Sequence, residues 1–221
     1  IFSTLHIFCS YYFCRLIWKD ARPKSAIESK MLKTSLSFML LSTLGVWCLG
    51  PAVGLAGKAS AFYQVAIQFF LHFQFNGWFL FAVLTLFLHL FTTSINEKLF
   101  NRFYLLLVSS TMLTLALPVS WFVNFPLLYW INGAGVVMQF MAFLYFARII
   151  KVQFSFALRT FSATEKWVLA LAFFSLGLKA VLQLATLFPE LAQLSHQMRP
   201  LVIGFIHLIM LGVITGLLFG F

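Results

Sequence analysis

Apolar residues fill this chain in seven long runs, roughly 1–18, 32–55, 60–93, 103–122, 127–149, 165–187 and 200–221, and polar residues gather in the short stretches between them. A helix rising 1.5 Å per residue needs about twenty residues to cross some 30 Å of hydrocarbon, so the pattern predicts seven membrane spans. The stretches between them are too short to bury a core of their own. The expected fold is all-α, a polytopic membrane helical bundle forming a single transmembrane domain over 1–221.

Loop chemistry marks the same boundaries. Ala21-Arg-Pro23-Lys, Asn124-Phe-Pro126 and Phe188-Pro189-Glu190 carry the prolines that stop or start helices, and Arg199-Pro200 opens the last run. Trp18, Trp121, Trp130 and Trp167 stand near run ends, where indoles favour the interface. Trp47 and Trp78 lie deeper and need a partner for the indole N–H. The third run is too long for one upright span, since its length as a helix is about 50 Å. It is expected to tilt, protrude or depart from a straight helix, with Asn76-Gly77 as the weak point.

That same run holds the most conspicuous polar pattern. Gln64, Gln68, His72 and Asn76 step by four through an otherwise aliphatic and aromatic segment and so share one helix face. Lys179 and Gln183, also four apart, fall in the outer half of the sixth run, and His207 lies about seven residues into the seventh. Polar groups at such depth need partners or a cavity, which makes these seven residues the candidate site. Two readings stand: a site for haem, copper or a quinone with histidine ligands, or interhelical hydrogen bonds that hold the bundle together. Snorkelling of Lys179 to the outer surface is a further reading for that residue. His72 and His89 are seventeen residues apart on one helix and cannot share a metal.

Composition agrees with the membrane reading: 62% hydrophobic, 9% charged and a mean hydropathy of +0.98. The net charge of +10 comes from Lys and Arg. Twelve of the fifteen fall in alternate loops (Arg15, Lys19, Arg22, Lys24, Lys30, Lys33, Lys98, Arg102, Arg148, Lys151, Arg159 and Lys166), and only Lys58 and Arg199 in the others. By the positive-inside rule the basic loops are cytoplasmic, and the charge serves topology and contact with membrane lipid, with no nucleic-acid role.

Asp20, Glu28, Glu97, Glu165 and Glu190 all read as loop or run-end residues, which disfavours a carboxylate-based proton pump. Cys9, Cys14 and Cys48 lack metal or disulfide spacing. No phosphate loop, dinucleotide fingerprint, H-E-x-x-H or nucleophile elbow is present. Ile1 already lies inside an apolar run, which predicts an incomplete N-terminus with helices upstream.

Phe70-Leu-His72-Phe-Gln-Phe-Asn76-Gly-Trp78 and Leu201-Val-Ile-Gly-Phe-Ile-His207-Leu-Ile-Met-Leu-Gly212 resemble the histidine-bearing helices of the haem-copper oxidase subunit I superfamily and of NnrS-like membrane haem proteins. The resemblance covers those two helices. It implies a bundle holding haem or copper, with His72 and His207 as the metal ligands and Gln68, Asn76 and Lys179 beside the cofactor. An adjacent His-His pair and a His-Pro-Glu-Val-x-x-Tyr segment are absent, which points to a haem-binding or accessory relative rather than an oxygen-reducing centre.

The expectation is thus a bacterial inner-membrane protein binding a haem or metal redox cofactor in its outer half. Alternatives are a non-catalytic membrane subunit or assembly factor, and a small-solute carrier. Gly212, Gly216 and Gly220 form a small-residue stripe that reads as a close helix contact or an interface with other membrane subunits.

Overall fold

A computed structural model describes residues 2–23, 25–89 and 95–220, apart from the side chains of 2, 3, 153–160, 195, 196 and 199. The described residues are helical, with turns between and no strands. In chain order the helices are α1 (Phe2–Asp20), α2 (Ala26–Ala56), α3 (Ala61–His72), α4 (Leu80–His89), α5 (Glu97–Leu113), α6 (Ala116–Ser120), α7 (Leu127–Thr160), α8 (Ala163–Ala185), α9 (Pro189–Gln197), α10 (Arg199–His207) and α11 (Gly216–Phe219). Two π-helical segments, Phe73–Phe79 and Leu208–Thr215, join α3 to α4 and α10 to α11 without a break.

Six helices among the described residues are long and apolar enough to cross a membrane: Ala26–Ala56, Ala61–His89, Glu97–Ser120, Leu127–Val152, Ala163–Ala185 and Pro200–Phe219. This establishes a multi-pass membrane protein. The run expected as the first span is helix α1, but it is not one of the six; Arg15, Lys19 and Asp20 occupy three of its last six positions. The second span starts at residue 26 rather than 32 and so takes in Glu28 and Lys30.

Side-chain caps explain where the helices start. Ser25, Ser60, Asn96 and Ser162 each accept a hydrogen bond from the backbone N–H three residues on, of Glu28, Tyr63, Leu99 and Glu165. Each satisfies an N–H that the helix leaves open, a contribution of about 1 kcal/mol. Gly57, at φ 80°, ends α2 and begins the turn into α3, a backbone conformation that side chains with a Cβ disfavour.

The long third run departs from regular α geometry at Phe73–Phe79, the segment that contains Asn76 and Gly77. It widens into a π segment and continues, so the departure is an insertion into the helix rather than an interruption.

By its contacts the chain forms two compact units, Ile1–Thr92 and Thr93–Phe221, each described by itself. In the first, α2 lies antiparallel along α3, the π segment and α4. Phe38 stacks on Phe73 at 5.6 Å and packs on Phe81 at 5.1 Å. A methyl group added at Gly77 would come within 2.8 Å of Phe38, so only glycine allows this approach. Trp47 finds its partner in Tyr11, donating its indole N–H to the hydroxyl at 2.8 Å.

In the second unit α7 packs on α5 and α8 through a row of rings, Phe103 to Phe146 at 5.2 Å and Phe146 to Phe173 at 5.6 Å. α10, its π segment and α11 run antiparallel to α8. Gly212, Gly216 and Gly220 seat against Ser175, Ala172 and Leu169, one glycine per turn of α8. The stripe is therefore the close helix contact within the chain, and the face expected to receive another subunit is already occupied by α8.

Candidate functional site

The polar stripe of the first unit is buried unevenly. Gln64 turns back to the helix start, where its amide donates to the Lys58 carbonyl at 3.1 Å. Gln68 is half-buried. His72 is 9% exposed and meets the ring of Phe73 edge-on at 5.3 Å. Asn76 lies in the π segment with its side-chain oxygen buried and without a hydrogen bond among the described residues.

Sequence reasoning passed over the opposite wall of this unit. Glu28, Ser35 and Ser42 recur every seven residues along α2, all buried and all on the face toward the His72 helix. The Ser42 hydroxyl donates to the Gln74 side-chain oxygen at 2.9 Å, and Ser35 donates to the Trp78 carbonyl in the π segment at 3.0 Å. Glu28 meets His89 Nδ1 at 3.0 Å, a contact that becomes an ion pair when the imidazole is protonated. Glu28 is thus a buried carboxylate in the first turn of a span, where a run-end residue was expected. The seven-residue spacing of acid and hydroxyls was the legible signal.

In the second unit Lys179 and Gln183, expected on one helix face, hydrogen-bond to each other, and the network extends further. Lys179 Nζ donates to Gln183 Oε1 at 2.6 Å and lies 5.8 Å from the centre of the Phe205 ring. One turn on, Thr186 Oγ1 donates to the Gln183 carbonyl at 2.7 Å and accepts from Asn132 Nδ2 at 3.0 Å. Lys179 is 1% exposed and touches no carboxylate among the described residues, so it is enclosed between helices and does not snorkel. Asn132 Oδ1 and Gln139 Oε1 on α7 are buried and accept from no described group. The antiparallel register that joins Asn132 to Thr186 brings Gln139 level with Lys179. Both α7 amides escaped the sequence reading, because each is a lone polar residue in an apolar run.

His207 is built differently. Its ring is exposed, and Nδ1 lies 2.8 Å from the Ile203 carbonyl one turn back on its own helix. A carbonyl can only accept, so Nδ1 carries the proton, and in the neutral ring Nε2 holds an open lone pair directed away from the helix backbone. Lys179 faces the same helix through Phe205. His72, Gln68 and Asn76 belong to the first unit, and Lys179 and His207 to the second. Among the described residues no three of His, Cys, Asp and Glu come together in a group able to hold a metal ion.

No protein-family model matches this chain, and no match is found among curated proteins or solved structures.

Proposed function

We propose that this multi-pass protein resides in a bacterial inner membrane and binds a haem as redox cofactor, with His207 as the residue that would hold its iron. The observation that carries this reading is the imidazole of His207: held in one tautomer by its own helix, with no partner for Nε2 among the described residues, it stands exposed within a helix long and apolar enough to cross a membrane. Metal-ligating histidines are commonly oriented by this kind of Nδ1–H to carbonyl bond. An uncovered polar nitrogen about 10 Å inside the span costs on the order of 2–7 kcal/mol, so a covering group that uses the lone pair offsets a large penalty.

The donor set favours haem over a bare copper ion. A metal held by protein alone needs several ligands in one place, and the described residues supply no such group. Haem brings four nitrogen donors and asks the protein for one or two axial side chains and an apolar surround. When bound it supplies one-electron chemistry; the chain's part is to present Nε2, exclude water and fix the plane of the ring.

The test is the absorption spectrum of the protein purified from cells supplied with haem precursor. The expected result is a Soret band that shifts or disappears in His207→Ala while the variant keeps its helical circular dichroism. A colourless, correctly folded protein that also fails to take up added hemin would remove the reading, leaving a non-catalytic subunit whose partner covers His207.

A further inference from the structure

The seam between α7 and α8, which lies wholly within the second unit, holds more hydrogen-bonding capacity than its own side chains use. Asn132 and Gln139 are 1% and 6% exposed, yet neither side-chain oxygen accepts from any described group. An amide oxygen carries two lone pairs, so a line of buried acceptors meets no donor there. A donor stands across from them in a matching condition. Lys179 Nζ gives one N–H to Gln183 Oε1 and lies over the Phe205 ring, and no other described oxygen accepts from it. Gln139 is level with this amine and does not bond to it. Buried groups that are complementary and yet do not touch are commonly joined by water.

Spacing decides what can join them. Asn132 and Gln139 are seven residues apart on α7, as are Lys179 and Thr186 on α8, so each pair spans about 10 Å along its helix. A single bound cation holds oxygens at about 2.0–2.6 Å and cannot touch both amides. A file of about three or four waters, spaced at about 2.8 Å, covers the distance, and every member finds an amide, hydroxyl or amine beside it.

Burial shows which way such a file opens. Ser175 and Lys179 are buried, Gln183 and Thr186 are half-buried, and Leu187 and Phe188 in the turn that follows the span are exposed. In the other direction the polar line stops at Ser175, because Ala172 and Leu169 are pressed against Gly216 and Gly220. Among the described residues no second titratable group faces the amine: α7 brings Gln139 to its level, its own helix gives Gln183, and α10 gives Phe205, while the His207 ring is exposed.

We infer that the α7–α8 seam is a hydrated half-path leading from the Thr186 end of the span to Lys179, and that Lys179 takes up and releases a proton through it. In release one N–H bond of the ammonium breaks, the nitrogen keeps the electron pair, and the proton forms a new O–H bond on the adjoining water. The file passes the charge on toward Thr186, and uptake is the reverse. Ionisable groups that meet water inside a span serve proton relays in this way. A lysine kept for packing alone would gain nothing from two unpaired amides on the facing helix. The path uses no atom of His207 and stands apart from the haem reading.

The test is water-edited solid-state NMR of the full chain in liposomes, nitrogen-labelled at the lysine side chains, with Lys179→Met identifying the Lys179 signal by its loss. Magnetisation is expected to pass from water to the Lys179 amine within about threefold of the time needed for exposed lysines. The shift of that signal is expected to follow bulk pH through one titration. Gln139→Met keeps the side-chain length and removes the acceptor, and it should slow the transfer about tenfold. Asn132→Leu interrupts the same file and decides the matter where Gln139→Met does not fold. An amine that stays dry, or that keeps one shift at every bulk pH, would overturn the inference. Unchanged transfer in a folded Gln139→Met or Asn132→Leu protein would do the same.

Discussion

Lys179 shows how a single residue decides between two readings of the same segment. A lysine near the end of a span can reach the interface, but here the amine is enclosed, with a glutamine oxygen at 2.6 Å and a phenylalanine face at 5.8 Å for company. An ammonium buried without a carboxylate carries a desolvation cost that these neutral partners only partly offset. Lys179→Met, similar in volume and free of that cost, is therefore expected to raise stability or leave it unchanged, by up to a few kcal/mol in detergent unfolding. Gln183→Leu removes the hydrogen-bond partner and keeps the amine, and a loss of about 1–3 kcal/mol is expected. A large loss in Lys179→Met would show that the amine binds something this arrangement omits.

At the scale of elements, the antiparallel contacts depend on glycines that act through absence of a side chain. Gly77→Ala and Gly212→Ala force a methyl to within 3 Å of Phe38 and of Ser175. Each is expected to lower stability by about 1–3 kcal/mol, measured as a shift in the unfolding midpoint. Gly50 is the control: a Cβ there meets nothing within 4 Å. Gly50→Ala should be neutral or stabilising by up to about 1 kcal/mol, through helix propensity alone. Glu28 and His89 tie the two ends of the first hairpin. Glu28→Leu removes the carboxylate from His89, so amide hydrogen exchange at the C-terminal turn of α4, residues 86–89, is expected to quicken; unchanged exchange would show that packing alone holds that turn.

For the molecule as a whole, the basic loops set the orientation. Within the first unit the antiparallel order of α2 and α3 puts Ser25 at one end and Gly57 to Ser60 at the other, and the basic residues around Ser25 predict that its end is cytoplasmic. In a cysteine-free background, a cysteine at Ser25 should resist an impermeant reagent applied to intact cells, and one at Lys58 should react. The reverse pattern would invert the topology and place His207 in the cytoplasmic half. The fold class was fully legible in the sequence, because hydrocarbon thickness translates directly into run length. The first run was the exception: α1 carries Arg15, Lys19 and Asp20 in its last six positions, and the length rule alone could not weigh them.

By itself the sequence determined the membrane class, the bounds of six spans to within about six residues, the alternation of charge, and the shared helix face of Lys179 and Gln183, since each depends on the pattern along one chain. It also marked Asn76-Gly77 as irregular, although the close approach of Phe38 to Gly77, from 39 residues away, belongs to the packing alone. Only the tertiary structure decided that Glu28 is buried against His89, that Asn132 joins Thr186, and that the glycine stripe serves α8 rather than another subunit. These are relations between residues far apart in sequence. A lone polar residue in an apolar run looks the same whether it faces lipid, a neighbouring helix or a ligand, and burial and partner choice exist only once the helices have packed.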